Sequence, residues 1–323
     1  NFLNDKVKFI DSSKKRIHLK DKILAYDKLV LSAGIEIDYN QINGLNEAYD
    51  SNKVLSAWKA GEETFALSNN IKNIEDGNNI IISIPLSPYR CPPGPYERAS
   101  LIADYIKSRN LKCKVIILDA NQKIVSKGGL FKKAWNDYYK DIIEYHPDKK
   151  VIEINGREKK IYTDFDEYDY DIANVIPAQR APKLLKISGL ITENKKWASV
   201  NPFDFSSTEN GDIYIIGDST DRSSVGSVPK SGYIAYSMGK AAAFSVYSSL
   251  LEKNAPSPSM INTCYSLVSK QEGISVSAIY EYNKEKNKIV SIKNATGLSP
   301  NRSSIIAYNA WDWAQAIWSD MLL

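Results

Sequence analysis

Only three cysteines, two histidines and three methionines occur among 323 residues. Such a set is too small and too scattered for a zinc site of the Cys/His type. No apolar run approaches the roughly 18 residues that cross a bilayer, so a transmembrane segment is not expected. No block of like charge stands out either: Lys and Arg are scattered among Asp and Glu, and the net charge of +4 gives no nucleic-acid-binding signature. The first residues, Asn1 to Asp5, contain neither an initiator Met nor a basic-then-apolar leader, and the expectation is a processed or truncated product. No internal repeat is visible. What remains is an ordinary globular composition, 43% hydrophobic and 25% charged, long enough for two or three domains.

The opening reads as β-structure, with runs at Val7 to Ile10, Arg16 to Leu19 and Lys28 to Leu31 separated by turn-forming residues. The last run enters Ser32-Ala33-Gly34, where a small residue and a glycine let backbone approach another segment or a ligand closely. A helix is expected between Trp58 and Ile71. A β-α-β unit follows: strand Asn79 to Ile84, a helix from Pro95 to Ser108 with proline in its first turn, and strand Lys114 to Leu118. In a doubly wound sheet the loop after the first strand receives a dinucleotide through Gly-x-Gly-x-x-Gly. Here that loop carries Pro85, Pro88, Pro92 and Pro93 around Cys91. Proline removes backbone donors, so a nicotinamide dinucleotide is not expected in it. Strands at Val151 to Ile154, Glu158 to Thr163 and Asp171 to Pro177 are expected to complete the domain.

Strand Ile213 to Ile216 ends in Gly217-Asp218, and a helix opens at Pro229-Lys230-Ser231-Gly232-Tyr233 and runs to about Leu251. A carboxylate after a buried strand can accept a ribityl hydroxyl, while a helix N-terminus favours the electron-rich edge of a flavin. A strand-turn-helix with a capping Asp has the same appearance, and both readings stay open. Ala255-Pro-Ser-Pro-Ser259 reads as a linker. Beyond it come Cys264, a strand from Ile274 to Tyr280, a Lys/Asn-rich hairpin tip at Asn283 to Lys288, and an aromatic helix from about Ile305.

The cysteines differ in their surroundings. Cys113, in Lys-Cys-Lys-Val-Ile-Ile-Leu, is expected as a buried, inert thiol. Cys91 adjoins Arg90 and precedes a helix with Glu97 in its first turn, features that lower a thiol's pKa and favour the thiolate. Glu97 is placed to exchange a proton with that sulfur, although a first-turn carboxylate more commonly complements the helix dipole.

Taken together, Arg90-Cys-Pro-Pro-Gly-Pro-Tyr-Glu-Arg-Ala99, Tyr26-Asp-Lys-Leu-Val-Leu-Ser-Ala-Gly-Ile35, Ala57-Trp-Lys-Ala-Gly-Glu62, Lys114-Val-Ile-Ile-Leu-Asp119, Pro177-Ala-Gln-Arg-Ala181, Ile216-Gly-Asp218, Pro229-Lys-Ser-Gly-Tyr233 and Asn262-Thr-Cys-Tyr-Ser266 resemble the flavoprotein subunit of flavocytochrome c sulfide dehydrogenase. The resemblance implies an α/β, glutathione-reductase-like fold. Residues 1–44 and 186–257 would form an FAD-binding domain lacking its N-terminal βαβ part, residues 45–185 an inserted NAD-like Rossmann domain, and residues 258–323 a small α+β interface domain. It further implies that Cys91 and Cys264 form a redox disulfide over FAD with Glu97 close by. Ala33, Gly34, Gly217, Asp218, Lys230, Ser231, Gly232 and Tyr233 would hold the cofactor, and Trp313 would approach its ring. The family's Gly-x-Gly-x-x-Gly unit and its covalent flavin attachment find no counterpart in this sequence. Sulfide is the implied substrate, a separate c-type cytochrome subunit the electron acceptor, and the periplasm the implied location. Three rivals stand beside this reading: a sulfide:quinone oxidoreductase, a non-catalytic sulfur carrier without working flavin, and a pyridine-nucleotide disulfide reductase.

Overall fold

Asn79–Ile84 is a six-residue run of which all but the first residue is buried. A strand buried on both faces belongs at the centre of a parallel sheet, and that is where it lies. The computed structural model describes residues 1–51 and 54–322, and they divide into two compact units: Asn1–Glu36, Gln179–Thr263 and Ser277–Gly297 in one, and Ile37–Ala178, Cys264–Val276 and Leu298–Leu323 in the other.

In the second of these units the sheet order is Ile172–Val175, Asn79–Ile84, Lys114–Asp119, Ile143–His146, every neighbour parallel. Parallel neighbours need crossovers. The helices Gly94–Ser108 and Gly128–Tyr138 supply two of them. The segment between Asp119 and Lys150 carried no assignment from the sequence, yet it holds both the second helix and the fourth strand. Leu130, Phe131, Ala134 and Trp135 fall at helical spacing there. Of the strands expected to complete the domain, only Ile172–Val175 joins this sheet. Val151–Asn155 and Lys160–Thr163 pair antiparallel instead, with Glu167–Asp169 on the far side of the latter, as a short link around Asn155-Gly156 allows.

Two buried hydrogen-bond systems fix the crossover helices. At the end of Lys114–Asp119, the Asp119 carboxylate accepts from the Tyr96 hydroxyl at 2.7 Å and from the Tyr145 hydroxyl at 3.0 Å. The Trp135 indole donates to Ser100 Oγ at 2.8 Å, joining the second helix to the first. Glu97 and Lys127, which flank these points in sequence, are thereby held in place. The far end of Gly128–Tyr138 is pinned to the segment after Cys264: Tyr138 donates to Glu272 at 2.7 Å, and Arg302 bridges Glu272 and Asp137 while covering the Tyr138 ring.

In the other unit, Leu29–Leu31 and Ile213–Ile215 run parallel and side by side. Asp212 receives ion pairs from Lys15 and Lys28 at their starts. Ile213, Ile215, Ile234, Met238 and Ala242 form a core against the helix Gly232–Leu250, to which Ala278, Tyr280 and Ile289 add from the strands Gly273–Asn283 and Lys288–Leu298. Those strands are ordered after Ser259–Leu267 in a three-stranded sheet. Helix Ser304–Leu322 closes the chain, and Ala307 is its one buried residue. Among the described residues no helix is long and apolar enough to cross a membrane.

Replacing Asp119 by Ala strands two tyrosine hydroxyls in the interior. Each lost bond to a charged acceptor is worth about 1.5–3 kcal/mol, and part of that is recovered by relaxation. The expected outcome is a loss of about 2–4 kcal/mol in denaturant unfolding; a change below about 0.5 kcal/mol, the scale of an ordinary surface substitution, contradicts this role.

Candidate functional site

The proline-rich loop is fastened on both sides of Cys91. The Trp58 indole donates to the Arg90 carbonyl at 3.2 Å, the Tyr89 hydroxyl to the Pro92 carbonyl at 3.0 Å, and the Gly94 amide to the Cys91 carbonyl at 2.9 Å. Cys91 itself sits in the left-handed region with φ 55°, a conformation that costs a side-chain-bearing residue about 1–2 kcal/mol. Its sulfur is pressed against Gly94, where an added Cβ would come within 2.9 Å of Cys91 Sγ and 2.8 Å of the Trp58 ring. Glycine at the start of helix Gly94–Ser108 is thus a packing requirement of the thiol.

Glu97, one turn into that helix, accepts a hydrogen bond at 2.7 Å from the amide of Leu267, on the strand that carries Cys264. Lys127 completes the group: its ammonium donates to the Cys264 carbonyl at 2.9 Å. Cys91 feels the charge of Cys264, Glu97, Lys127 and Arg90, so the structure gathers two half-buried cysteines, a carboxyl and a buried ammonium into one neighbourhood. All three cysteines are free thiols here. Cys113, remote in role, is buried and donates to the Glu75 carbonyl.

The expected thiolate is not what this environment favours. Burial pushes the Cys91 thiol up to about 12, with Cys264 and Glu97 adding to it; Lys127 and Arg90 act the other way but are weaker. Desolvation therefore outweighs the adjacent guanidinium. Cys264 is likewise raised by burial, against the pull of Lys127, and burial also raises the Glu97 carboxyl, opposed by the Leu267 amide and Lys127. A cleft of ≈ 700 Å³ leads to this place, lined among others by Trp58, Leu67, Ile71, Cys91, Glu97 and Leu101. Its wall is set by Arg98, which donates to Ala57 and Asn174 and stacks on Trp58 at 5.0 Å.

The residues expected to hold a flavin lie in the other unit. Both parallel strands there end in glycine turns of φ +70°, at Gly34 and Gly217, and the Ser219 hydroxyl donates to the Gly34 carbonyl at 2.7 Å. Open α/β sheets bind ligands beyond such carboxyl ends. A Cβ on Gly34 would meet nothing within 4 Å, whereas one on Gly217 would touch Ala235. Ala33 is exposed beside this opening. Ser231 caps helix Gly232–Leu250 by accepting from the Ile234 amide, and its hydroxyl donates to buried Asn262. Asp218, Lys230, Ser231 and Ile234 line one narrow cleft with Gly217, Gly232 and Tyr233 forming the first turn of the helix at its side. A glycine corner with open space at Gly34, an acidic turn and a helix start fit the polar end of a flavin. Lys230, however, is engaged by the turn itself: its ammonium donates to the Asp218 and Thr220 carbonyls at 2.6 and 2.8 Å and sits 3.7 Å from the Trp197 ring. Burial lowers it to about 8. It shapes the Gly217 turn from within. Trp313 is half-buried on Ser304–Leu322, between the exposed Trp311 and Trp318.

Sequence reasoning missed Lys127, Trp58, Arg98 and Trp197 as members of these sites. A lysine directly before Gly128-Gly129 was the one available signal for the first, and it is weak.

Glycine turns ending parallel strands in one unit, and a parallel sheet with a cysteine pair in the other, are features of the FAD-dependent disulfide-oxidoreductase fold. Solved structures agree on the fold: an FAD-dependent pyridine nucleotide-disulphide oxidoreductase from Desulfovibrio vulgaris (14% identity, 93% of this chain and 79% of that one, TM-score 0.57) and an NAD-dependent persulfide reductase from A. fulgidus (14%, 98% and 62%, TM-score 0.60). The family can be given more closely. Residues 64–177 match the model of the central part of the sulfide dehydrogenase [flavocytochrome c] flavoprotein chain, and residues 256–322 match that of the flavocytochrome c sulphide dehydrogenase flavin-binding part; the chain carries both regions of that flavoprotein, whose cofactor is FAD. A mitochondrial sulfide:quinone oxidoreductase from Dictyostelium discoideum is 23% identical over 235 residues, 68% of this chain. The chain spans 50% of that relative's length.

The raised Glu97 carboxyl makes a pH prediction. A folded-state pKa above the ordinary 4.5 means that the native state binds this proton more tightly than the unfolded chain. The favourable contribution is full below 4.5 and is lost as pH rises through the folded value. Glu97→Gln keeps an acceptor for Leu267 and removes the ionisation, so thermal midpoints are expected to gain on the parent at neutral pH and match it under acid conditions. A deficit that grows from acid to neutral pH contradicts the assignment.

Proposed function

We propose that the protein oxidises sulfide through a Cys91–Cys264 redox pair and FAD, delivering electrons to a c-type cytochrome in the periplasm. The observation that carries this reading is the gathering of two cysteines, distant in sequence, with a carboxyl in a half-buried place reached by an apolar-walled cleft. With the pair oxidised, HS⁻ entering along the Trp58 side attacks one sulfur. The new S–S bond makes a cysteine persulfide, the old S–S bond breaks, and its electron pair leaves on the other cysteine as a thiolate. Glu97 takes the persulfide proton or returns one to the departing sulfur, a task suited to a carboxyl whose pKa burial raises. The high thiol pKa values belong to the reduced pair and favour its protonated resting form until Glu97 or a nearby cation intervenes. FAD, when bound, supplies two-electron acceptance from sulfur and one-electron release to a haem partner. In holding it, the Gly34 and Gly217 corners, Asp218 and the Ser231-capped helix start at Gly232-Tyr233 would provide close backbone approach, an acceptor and a positive dipole end. Lys230 keeps that corner in shape.

The relatives with sulfide:quinone oxidoreductase names support a second reading in which the acceptor is a quinone. Flavin-loaded protein mixed with sulfide separates the possibilities. Loss of the yellow flavin absorbance is expected in the parent and is expected to be abolished by Cys91→Ser or Cys264→Ser; undiminished flavin reduction in either variant rejects the mechanism. Turnover with cytochrome c and none with a short-chain quinone supports the cytochrome branch, and the reverse assigns the quinone branch.

A further inference from the structure

Lys127 occupies a position that ordinary folding requirements do not favour. It is 4% exposed, although an ammonium is costly to remove from water unless it is paired. Its backbone is left-handed, φ 57°, where glycine or asparagine fits with less strain. It stands at the N-cap of Gly128–Tyr138 without a side-chain cap to that helix, a place where Ser, Asp or Asn is the stabilising choice. In this strained and buried setting its side chain turns to Cys264, donating to the carbonyl at 2.9 Å. An ammonium has three donors, and besides the carbonyl this one also reaches the Cys264 sulfur. The other groups facing this sulfur pair are Glu97, anchored to the Leu267 amide on the same strand as Cys264, and, around Cys91, Arg90 and Arg98. Arg98 is committed to Ala57, Asn174 and Trp58.

We propose that Lys127 is the fixed counter-charge for the sulfur anion that forms on Cys264 when the Cys91–Cys264 bond opens. The proposal rests on the redox-pair reading above and deepens it. Opening the disulfide with HS⁻ leaves Cys264 anionic whichever sulfur is attacked. As the leaving group it keeps the electron pair of the broken bond and becomes a thiolate. As the attacked sulfur it bears the persulfide, whose terminal sulfur is anionic once its proton passes to Glu97. Lys127 neither gives nor takes a proton in either case; it is a positioning residue whose charge favours the ionised sulfur in a place where burial alone opposes it.

The test reads the sulfur directly and needs neither flavin nor sulfide. In the reduced Cys91→Ser protein, the rate of iodoacetamide alkylation at Cys264, followed by peptide mass spectrometry across the neutral-to-alkaline range, gives the ionisation midpoint of that thiol. Lys127→Gln retains a donor for the Cys264 carbonyl and removes the charge; Lys127→Met removes both; Lys127→Arg keeps the charge. The midpoint is expected to rise by about 1–3 pH units in the Gln and Met variants and to stay within about half a unit of the parent in the Arg variant. A midpoint unmoved in Lys127→Gln with native circular dichroism overturns the proposal, as does an equal rise in Lys127→Arg. Should one of the neutral variants lose its native spectrum, the other decides. A protein showing the expected shifts but no flavin reduction by sulfide upholds the charge role of Lys127 and refutes the sulfide-oxidising reading, so the two failures are distinguishable.

Discussion

The hydrogen bond from the Leu267 amide to the Glu97 carboxylate, 2.7 Å across a sequence separation of 170 residues, is the contact on which the cysteine site depends. It fastens the helix that follows Cys91 to the strand that carries Cys264. Lys127 at the Cys264 carbonyl and Asp104 at the Lys270 amide add further ties to the segment that carries Cys264. The bond also holds a carboxyl out of water beside two sulfurs, and desolvation is the largest influence on all three groups. Burial thus does two opposed things here: it disfavours the charged forms of these groups, and it magnifies the effect of any charge left among them. Lys127 is such a charge.

The surrounding fold serves this arrangement. Asp119 ends a central strand and grips Tyr96, next to Glu97, while Trp135 and Ser100 lock the helix capped by Lys127 against the helix containing Glu97. Glu97 and Cys264 are carried by helix and strand, while Cys91 and Lys127 stand on the loops that lead into two helices, the former braced by Trp58, Tyr89 and Gly94. Rigid support of this kind is what a reaction at a single sulfur atom needs. In the other unit the same economy recurs: Lys230 and Trp197 stiffen the Gly217 turn, leaving Gly34 open at the strand ends.

Much of this was legible in the sequence wherever local patterning and packing agree. Asn79–Ile84 and the helix to Ser108 are strong apolar runs punctuated by proline and glycine, and their limits hold to within a residue. Cys91 and Glu97 announced themselves by a dense, unusual string. Long-range electrostatics was not legible. Arg90 beside Cys91 in sequence suggested a thiolate, yet the burial that reverses this is a property of the assembled unit. Lys127 reads as one lysine among many until the fold turns it toward Cys264. Helix Gly128–Tyr138 received no assignment although Phe131, Ala134, Trp135 and Tyr138 share one face with Lys132 and Lys133 exposed on the other, and the short strands Val151–Asn155 and Lys160–Thr163 gave no sign of which sheet they would join.

The account stands on one covalent possibility, that Cys91 and Cys264 bond to each other. Mild oxidation of the protein, alkylation of remaining thiols, and proteolysis without reductant read it directly by mass spectrometry. The account predicts a single cross-linked peptide pair containing Cys91 and Cys264, with Cys113 recovered alkylated after unfolding. Recovery of Cys91 and Cys264 as separate peptides, each alkylated or joined to Cys113, contradicts it.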